Sequence, residues 1–304
     1  MIFVDCEIRF KENRFGDSVI SVVFLFLLKN SSAGRILVAK LFFVMKDSVI
    51  LWWWTIKIYK NDAINFLKSL PNDSIDLIVT DPAYSWMNQM LKLWKWKIIW
   101  KYSEKWEEWW KRFAEFEDSE ENYTIFLKEC RRVLKNNRHI YIMFDSYSLL
   151  SLAPVVRNIF DVKNIICWDK AHIWLWHYFR RKHEFILFAS KGKRNLNSKS
   201  IPDIWKVKRI SRSDYPTQKP TEIFEIMIKW SWELWYTVCD PFLWSGSSMI
   251  ASIKNWCNFI WCDISEKSIE ISTKRAEEFL NSWVDILQNY SALSDDALTN
   301  KIFA

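Results

Sequence analysis

The stretch Ile75-Asp76-Leu77-Ile78-Val79-Thr80-Asp81-Pro82-Ala83-Tyr84 ends an apolar, β-branched run in a carboxylate, a proline and an aromatic ring. Proline has no N–H for a strand ladder, so a strand through this run ends at Asp81. In open α/β sheets ligands sit in the crevice beyond the carboxyl ends of the strands. A hydrogen-bond acceptor and a flat ring held there suit a planar substrate that carries an amino group, which points to a nucleobase. A second stretch, Val238-Cys239-Asp240-Pro241-Phe242-Leu243-Trp244-Ser245-Gly246-Ser247-Ser248, joins a strand to a helix through a turn of small residues. Backbone amides at such a helix start face a ligand. Asp263 closes the next apolar run, Phe259-Ile260-Trp261-Cys262-Asp263. It follows the turn by about 20 residues, the spacing at which an acid takes ribose hydroxyls in nucleoside-binding α/β folds. A turn followed by an acid is also ordinary strand-to-helix punctuation, so its meaning depends on its company.

The elements that must position these groups alternate. Seven β-like runs lie at 56–59, 75–80, 139–144, 164–168, 184–189, 236–239 and 258–262, with helical patterns at 61–70, 121–135, 148–160, 220–232, 247–255 and 265–281. Asn122 to Leu134 puts Phe126, Leu127, Cys130 and Leu134 on one face and Lys128, Glu129, Arg131 and Arg132 on the other. Strands alternating with helices predict a mainly parallel sheet covered on both faces. Two insertions break the alternation, 86–118 and a basic one at 190–215, and the chain closes on a tail, 286–304.

The 304 residues suffice for one large α/β domain with appendages. Lys and Arg number 43 against 36 Asp and Glu, an excess of 43 − 36 = 7 that fits a polyanion partner without requiring one. Six cysteines show no zinc spacing with the four histidines, so no metal is expected and buried thiols in a reducing cytoplasm are. Tryptophan and glycine look exchanged, at 21 and 4. Glycine at ~7% of a chain would come to about 21 residues here. Trp52-Trp53-Trp54, Trp109-Trp110 and Trp94 and Trp96 among lysines sit where loops are expected, and Trp244 lies inside the tight turn. A coding sequence in which UGA specifies glycine, read with UGA as tryptophan, gives this pattern. The competing reading is a tryptophan-rich membrane- or carbohydrate-facing surface. Residues 1–51 contain no tryptophan and hold Gly16 and Gly34. Their apolar run, Val19 to Leu28, is too short to span a bilayer and matches a signal-peptide core. An over-extended reading frame with its start at Met45 or later is the favoured reading, which makes 1–51 an extension of doubtful relevance and 52–285 the working domain.

From about Ile56 to Leu280 the chain resembles the DNA amino-methyltransferases, which methylate N6 of adenine or N4 of cytosine, in the order with the catalytic block before the cofactor block. Asp81-Pro82-Ala83-Tyr84 is similar to the Asp-Pro-Pro-Tyr signature, with alanine for the second proline. Asp240 to Ser247 is similar to Asp-Pro-Phe-x-Gly-Ser-Gly-Ser/Thr, with Trp244 in place of glycine. Tyr215-Pro216-Thr217-Gln218-Lys219-Pro220 is similar to the block that precedes that loop. Trp168-Asp169-Lys170 and His177-Tyr178-Phe179-Arg180-Arg181-Lys182-His183-Glu184 also fit. Trp174, Trp176 and Trp261 stand where the family has glycine, whereas Trp168 and Trp205 stand where it carries a bulky residue.

The resemblance implies a Rossmann-like, seven-stranded, circularly permuted S-adenosylmethionine methyltransferase sheet with helices on both faces. It implies Asp81, Pro82, Ala83 and Tyr84 as the catalytic residues, with a base extruded onto Tyr84. It places Asp240, Pro241, Phe242, Trp244 (as glycine), Ser245, Gly246 and Ser247 against the methionine part of S-adenosylmethionine. Asp263 takes the ribose, and Thr217, Gln218 and Lys219 border the methionine end. Asp62 is either an acid at the adenine edge or a helix N-cap. Aspartate in the first motif position leans towards adenine, with cytosine-N4 the alternative and a non-catalytic nucleic-acid-binding relative the rival from another class. Residues 180–219 hold twelve Lys and Arg against three acids. Arg180, Arg181, Lys182, Lys193, Arg194, Lys208, Arg209 and Arg212 are the phosphate-contacting candidates, against the bland reading of a solvated loop. Target recognition is expected in 190–215, helped by 86–118. The partners implied are double-stranded DNA, a restriction endonuclease and a second copy of the chain.

The codon reading has a direct check in the gene. UGA is expected at most of the 21 tryptophan positions, and UGG at most of them removes the reading.

Overall fold

The computed structural model describes residues 2–12, 18–30, 34–45, 48–82, 119–172, 179–210, 218–285 and 287. Eleven strands form one sheet in the order β1-β2-β3-β4-β11-β10-β5-β6-β8-β7-β9. The part that positions the site comprises β4 (Ser48–Lys60), β5 (Ile75–Thr80), β6 (Leu134–Phe144), β7 (Asp161–Asp169), β8 (His183–Lys191), β10 (Thr237–Asp240) and β11 (Asn258–Asp263). Strands β4, β11, β10, β5 and β6 are mutually parallel, and β8 runs antiparallel between β6 and β7. These are the seven runs read from the sequence. A short β9 (Ile204–Lys206) adds to β7. The backbone of residues 1–51 supplies β1 (Ile2–Glu12), β2 (Ser18–Asn30) and β3 (Gly34–Met45), antiparallel strands that extend the sheet beyond β4. β4 itself starts at Ser48, ahead of position 52.

Four of the described helices begin where a side chain satisfies orphan amides. Asp62 caps α1 (Ala63–Ser69), Ser119 caps α2 (Glu120–Val133), Asp145 caps α3 (Ser146–Ile159) and Ser265 caps α6 (Glu266–Ser282). α4 (Thr221–Ser231) starts behind Pro220, and α5 (Ser247–Lys254) behind Gly246. In α2, Glu120 and Glu121 occupy the first turn and Arg131 and Arg132 the last, as the helix dipole favours.

Every residue of β5 is buried, which fits a central strand covered on both faces. Strand alternation divides the core. Leu77 and Val79 face Tyr141, Met143, Ile228 and Phe279, while Ile78 faces Phe66, Phe126, Leu127 and Ile140 on the other side of the sheet. At the amino end of the sheet Asp76 gathers Lys135, Arg138 and the Thr237 amide, so its buried carboxylate is paired. Among the described residues no helix is long and apolar enough to cross a membrane.

Candidate active site

Three neighbouring parallel strands, β11, β10 and β5, deliver Asp263, Asp240 and Asp81 to the same end of the sheet. Register sets their heights: Val238 lies beside Leu77 and Asp240 beside Trp261, so Asp81 and Asp263 each stand about two residues beyond Asp240. Strand β5 ends at Thr80, and Asp81 follows it with only 8% of its surface exposed.

The loop after β10 is held from several sides. Asp240 accepts from the Phe242 amide at 3.0 Å and from the Ser248 hydroxyl. The Leu243 amide donates to the Cys262 carbonyl at 3.1 Å, and the Trp244 amide to Asp263 Oδ2 at 3.0 Å. Ser247 donates to the Lys219 carbonyl at 2.7 Å, which ties the loop to the start of α4. Beneath it lies Arg275 of α6, 1% exposed, bound to Asp285 at 2.7 and 2.9 Å, the Ser245 carbonyl at 2.7 Å, Ser247 at 3.1 Å and Thr221 at 3.0 Å. A buried guanidinium costs little only when its donors are met, as here.

Charge is distributed unevenly over the site. Lys219 Nζ lies 2.8 Å from Asp81 Oδ2 and 3.4 Å from Glu184 Oε2, and Lys170 lies 2.9 Å from Glu184 Oε1. Burial works against the Lys219 ammonium, but the two carboxylates outweigh it and raise its pKa. Burial works against the Glu184 charge as well, yet Lys219 and Lys170 bring it down to about 2. Asp240 is the opposite case. Burial, with the Asp81 charge adding to it, lifts its carboxyl to about 8 despite the Ser248 and Phe242 bonds. At neutral pH Asp240 is thus mostly protonated.

A small cavity of about 10 Å³ opens among Asp81, Lys219, Asp240, Phe242, Trp244 and Ser247, room for about one water molecule. The Trp244 indole crosses it and donates to the Asp81 carbonyl at 2.8 Å.

The other sequence-nominated residues fall into place unevenly. Pro241, Ser245 and Gly246 build the turn beside Asp240 and Phe242, and Asp263 holds its base. Gln218 lines the cavity and donates to the Leu287 carbonyl at 3.3 Å. Asp62 caps α1, accepting from the Asn65 amide at 2.9 Å. Pro82 directly follows Asp81, while Ala83, Tyr84, Arg212, Thr217 and the insertion 86–118 lie outside the described residues. The basic candidates divide between the two ends of the sheet. Arg181 stacks on Tyr147 at the start of α3, Lys182 pairs with Asp169, and the Arg209 amide bonds to the Lys170 carbonyl, all at the Asp81 end. Lys193 and Arg194 follow the far end of β8, because Lys191 pairs with Arg138 at the amino end of β6. Nine residues of strand, roughly 25 Å, separate them from the site. Arg194 is spent on Glu233 at 2.7 Å and on the Tyr236 ring.

Lys170 and Glu184 lie within the family-like blocks of the sequence, which assign them no role. The available signal was a lone acid opening the apolar run Phe185–Ala189. Arg275 had none, being one of several charges on an amphipathic helix.

The family described as DNA methylase has a model that matches residues 75–274. The type II methyltransferase M2.MboI of Moraxella bovis is 28% identical over 242 residues, covering 73% of this chain and 87% of that protein. The type II methyltransferase M.HinfI of Haemophilus influenzae is 26% identical over 250 residues, covering 73% and 68%. The crystal structure of an M1.HpyAVI–SAM complex superposes with a TM-score of 0.53 at 21% identity, over 72% of this chain and 99% of that one, a likeness of fold. The sheet order, the three strand-end aspartates and the extent of the family match agree: the chain belongs to the N6/N4 DNA methylase family.

Proposed function

We propose that the protein methylates the exocyclic N6 of adenine in double-stranded DNA, with S-adenosylmethionine as methyl donor. The observation that carries the reading is the placement of Asp81 and the Asp240–Ser248 loop on adjacent strand ends around one cavity. An exocyclic amine is a poor nucleophile because its lone pair is delocalised into the ring. The Asp81 carboxylate and a backbone carbonyl near Pro82 accept its two N–H bonds and draw the nitrogen towards a tetrahedral form. Tyr84 offers a ring on which an extruded base stacks. Lys219 pairs with Asp81 and orients its carboxylate, and Glu184 with Lys170 holds Lys219 in turn. Asp81 then takes the proton that the methylated amine releases. Positioning supplies much of the acceleration, and no covalent enzyme intermediate is required.

S-adenosylmethionine contributes an activated methyl group. Ser245, Ser247 and Asp263 suit its polar groups, whereas the amides of Phe242, Leu243, Trp244 and Gly246 are bonded within the protein. The space does not match, because the cavity that the Trp244 indole lines, bonded to the Asp81 carbonyl, holds about one water molecule.

For the duplex, Arg181, Lys182, Lys208 and Arg209 sit at the site end of the sheet and suit phosphates. Phe179, 98% exposed beside them, suits an apolar wedge at an opened base step. Lys193 and Arg194 serve the far end of the sheet and take no part.

With Trp244 replaced by glycine so that the cavity is open, Asp81→Ala is expected to lower methyl transfer by ~10³-fold while S-adenosylmethionine still binds. Unchanged transfer removes Asp81 from the mechanism. Mass spectrometry of DNA digested after expression should report N6-methyladenine; N4-methylcytosine in its place assigns the cytosine reaction instead.

Glu184 titrates near 2, below its ordinary 4.5, so its contribution to stability is complete above pH 4.5 and is lost as the pH falls to 2. Glu184→Gln should cost about 2 kcal/mol at pH 7, less than the ~3–5 kcal/mol of a fully buried pair, since the Glu184 side chain keeps 22% exposure. In urea titrations the gap to the parent should close between pH 4.5 and pH 2. A gap that stays constant refutes the ion-pair assignment.

Replacing Arg181, Lys208 and Arg209 together by alanine should weaken duplex binding about tenfold or more and reduce the salt slope by about one per lost phosphate contact. The Lys193→Ala/Arg194→Ala pair should leave both unchanged. Equal losses from the two sets would place DNA along the whole of β8.

A further inference from the structure

We infer that positions 235, 244, 256 and 283 are glycine positions in this fold, and that the Trp244 indole is a plug in the ligand cavity; the second part rests on the function proposed above. Among the described residues seven non-glycine residues have positive φ, and four of them are tryptophans: Trp235 at 72°, Trp244 at 52°, Trp256 at 58° and Trp283 at 55°. Asp73 and Asn137, two of the other three, have short polar side chains that tolerate this region. A bulky side chain in the left-handed region is a genuine outlier.

Each of the four sits at a place with a known demand for glycine. Trp235 is the third residue of the turn closed by the Tyr236 amide on the Glu233 carbonyl at 3.2 Å, where positive φ calls for glycine. Trp244 is the second residue of the turn closed by the Gly246 amide on the Leu243 carbonyl at 2.9 Å, and positive φ there belongs to the primed turns. Trp256 follows the end of α5, its amide on the Ile253 carbonyl at 3.1 Å. Trp283 ends α6, its amide on the Phe279 carbonyl at 2.7 Å. Helix ends of this kind take glycine because it carries no Cβ penalty.

Tryptophans elsewhere behave differently. Trp168 and Trp205 are buried, have no positive φ, and donate their indole N–H groups to the Val207 and Pro202 carbonyls, both at 2.8 Å. Trp261 is fully buried with no acceptor for its indole N–H among the described residues. The contrast lies in the backbone: Trp168 and Trp205 have ordinary φ, whereas the four tryptophans above, Trp244 with its own indole bond included, hold a conformation that favours glycine.

At 244 the consequence reaches the site. The indole takes the Asp81 carbonyl and occupies the space between Asp81 and the loop. Glycine there keeps the turn, frees that carbonyl and opens the cavity next to the amides of Trp244 and Ser245.

The test compares glycine with alanine at each position, which isolates the backbone from loss of the indole. At an ordinary site alanine is the more stable; at these four the glycine variant should melt about 2–4 °C above the alanine variant. Alanine variants that melt at or above the glycine variants overturn the inference. For the plug, calorimetric titration with S-adenosylmethionine should give at least tenfold tighter binding to Trp244→Gly than to the parent chain. Equal binding by the two overturns the plug. If glycine outranks alanine at all four positions and Trp244→Gly binds no S-adenosylmethionine, the glycine positions stand and the methyl-donor reading fails.

Discussion

A single buried ammonium makes the carboxyl end of this sheet electrostatically possible. Asp81 and Asp240 close adjacent strands in a poorly solvated crevice, where two unscreened carboxylates would repel each other. The molecule resolves the conflict asymmetrically. Lys219 pairs with Asp81, and Asp240, buried and with no salt-bridge partner among the described residues, is lifted to about 8. Lys219 also stands just ahead of α4, where the helix dipole disfavours a cation. Asp81 and Glu184 together offset that cost, and Lys170 prevents Glu184 from becoming an excess negative charge. The setting of Asp81 therefore depends on residues from four segments of the chain.

The second constraint is stiffness. Arg275 fastens the Ser245 carbonyl, Ser247, Thr221 and Asp285 from below, and the Ser272 hydroxyl meets the Trp244 carbonyl at 3.2 Å. With the loop anchored on this side, its turn has little choice of backbone conformation. Two residues in four are driven to positive φ, Trp244 and Gly246. At Gly246, with φ at 78°, a Cβ would meet Met249 Cε at 3.0 Å and Ser272 Cβ at 3.1 Å, so a side chain there is strained and must push its neighbours aside. At 244 the side chain has an exit, across the cavity to Asp81. On the function proposed above that exit is ligand space, and the fold then tolerates a residue that the chemistry does not.

Much of the architecture was legible in the chain because it is written locally. The seven core strands and six helices follow from apolar periodicity, and the start of the first helix from Asp62; the caps Ser119, Asp145 and Ser265 were not read from the sequence, although each answers amides within three residues of itself. The end of β5 followed from one proline. Less of the basic region was legible. A run of Lys and Arg reads the same whichever end of a strand it leaves, and only the antiparallel direction of β8 shows that Arg181 and Arg194 lie at opposite ends of the sheet. Burial of Arg275 was invisible for a related reason: its partner Asp285 lies on a segment with no periodic pattern.

The sequence by itself determined the fold class, the three strand-end aspartates and the suspicion that several tryptophans stand for glycines. Strand periodicity, a proline, a turn of small residues and composition are properties of neighbouring residues or of the whole chain. Tertiary structure alone decided which carboxyl is raised by burial, which cation pairs with Asp81 and which side chain lies between them. Those outcomes depend on groups far apart in the chain, such as Trp244 and the Asp81 carbonyl 163 residues away. Burial and distance, which set their electrostatics, exist only once the sheet has brought them together.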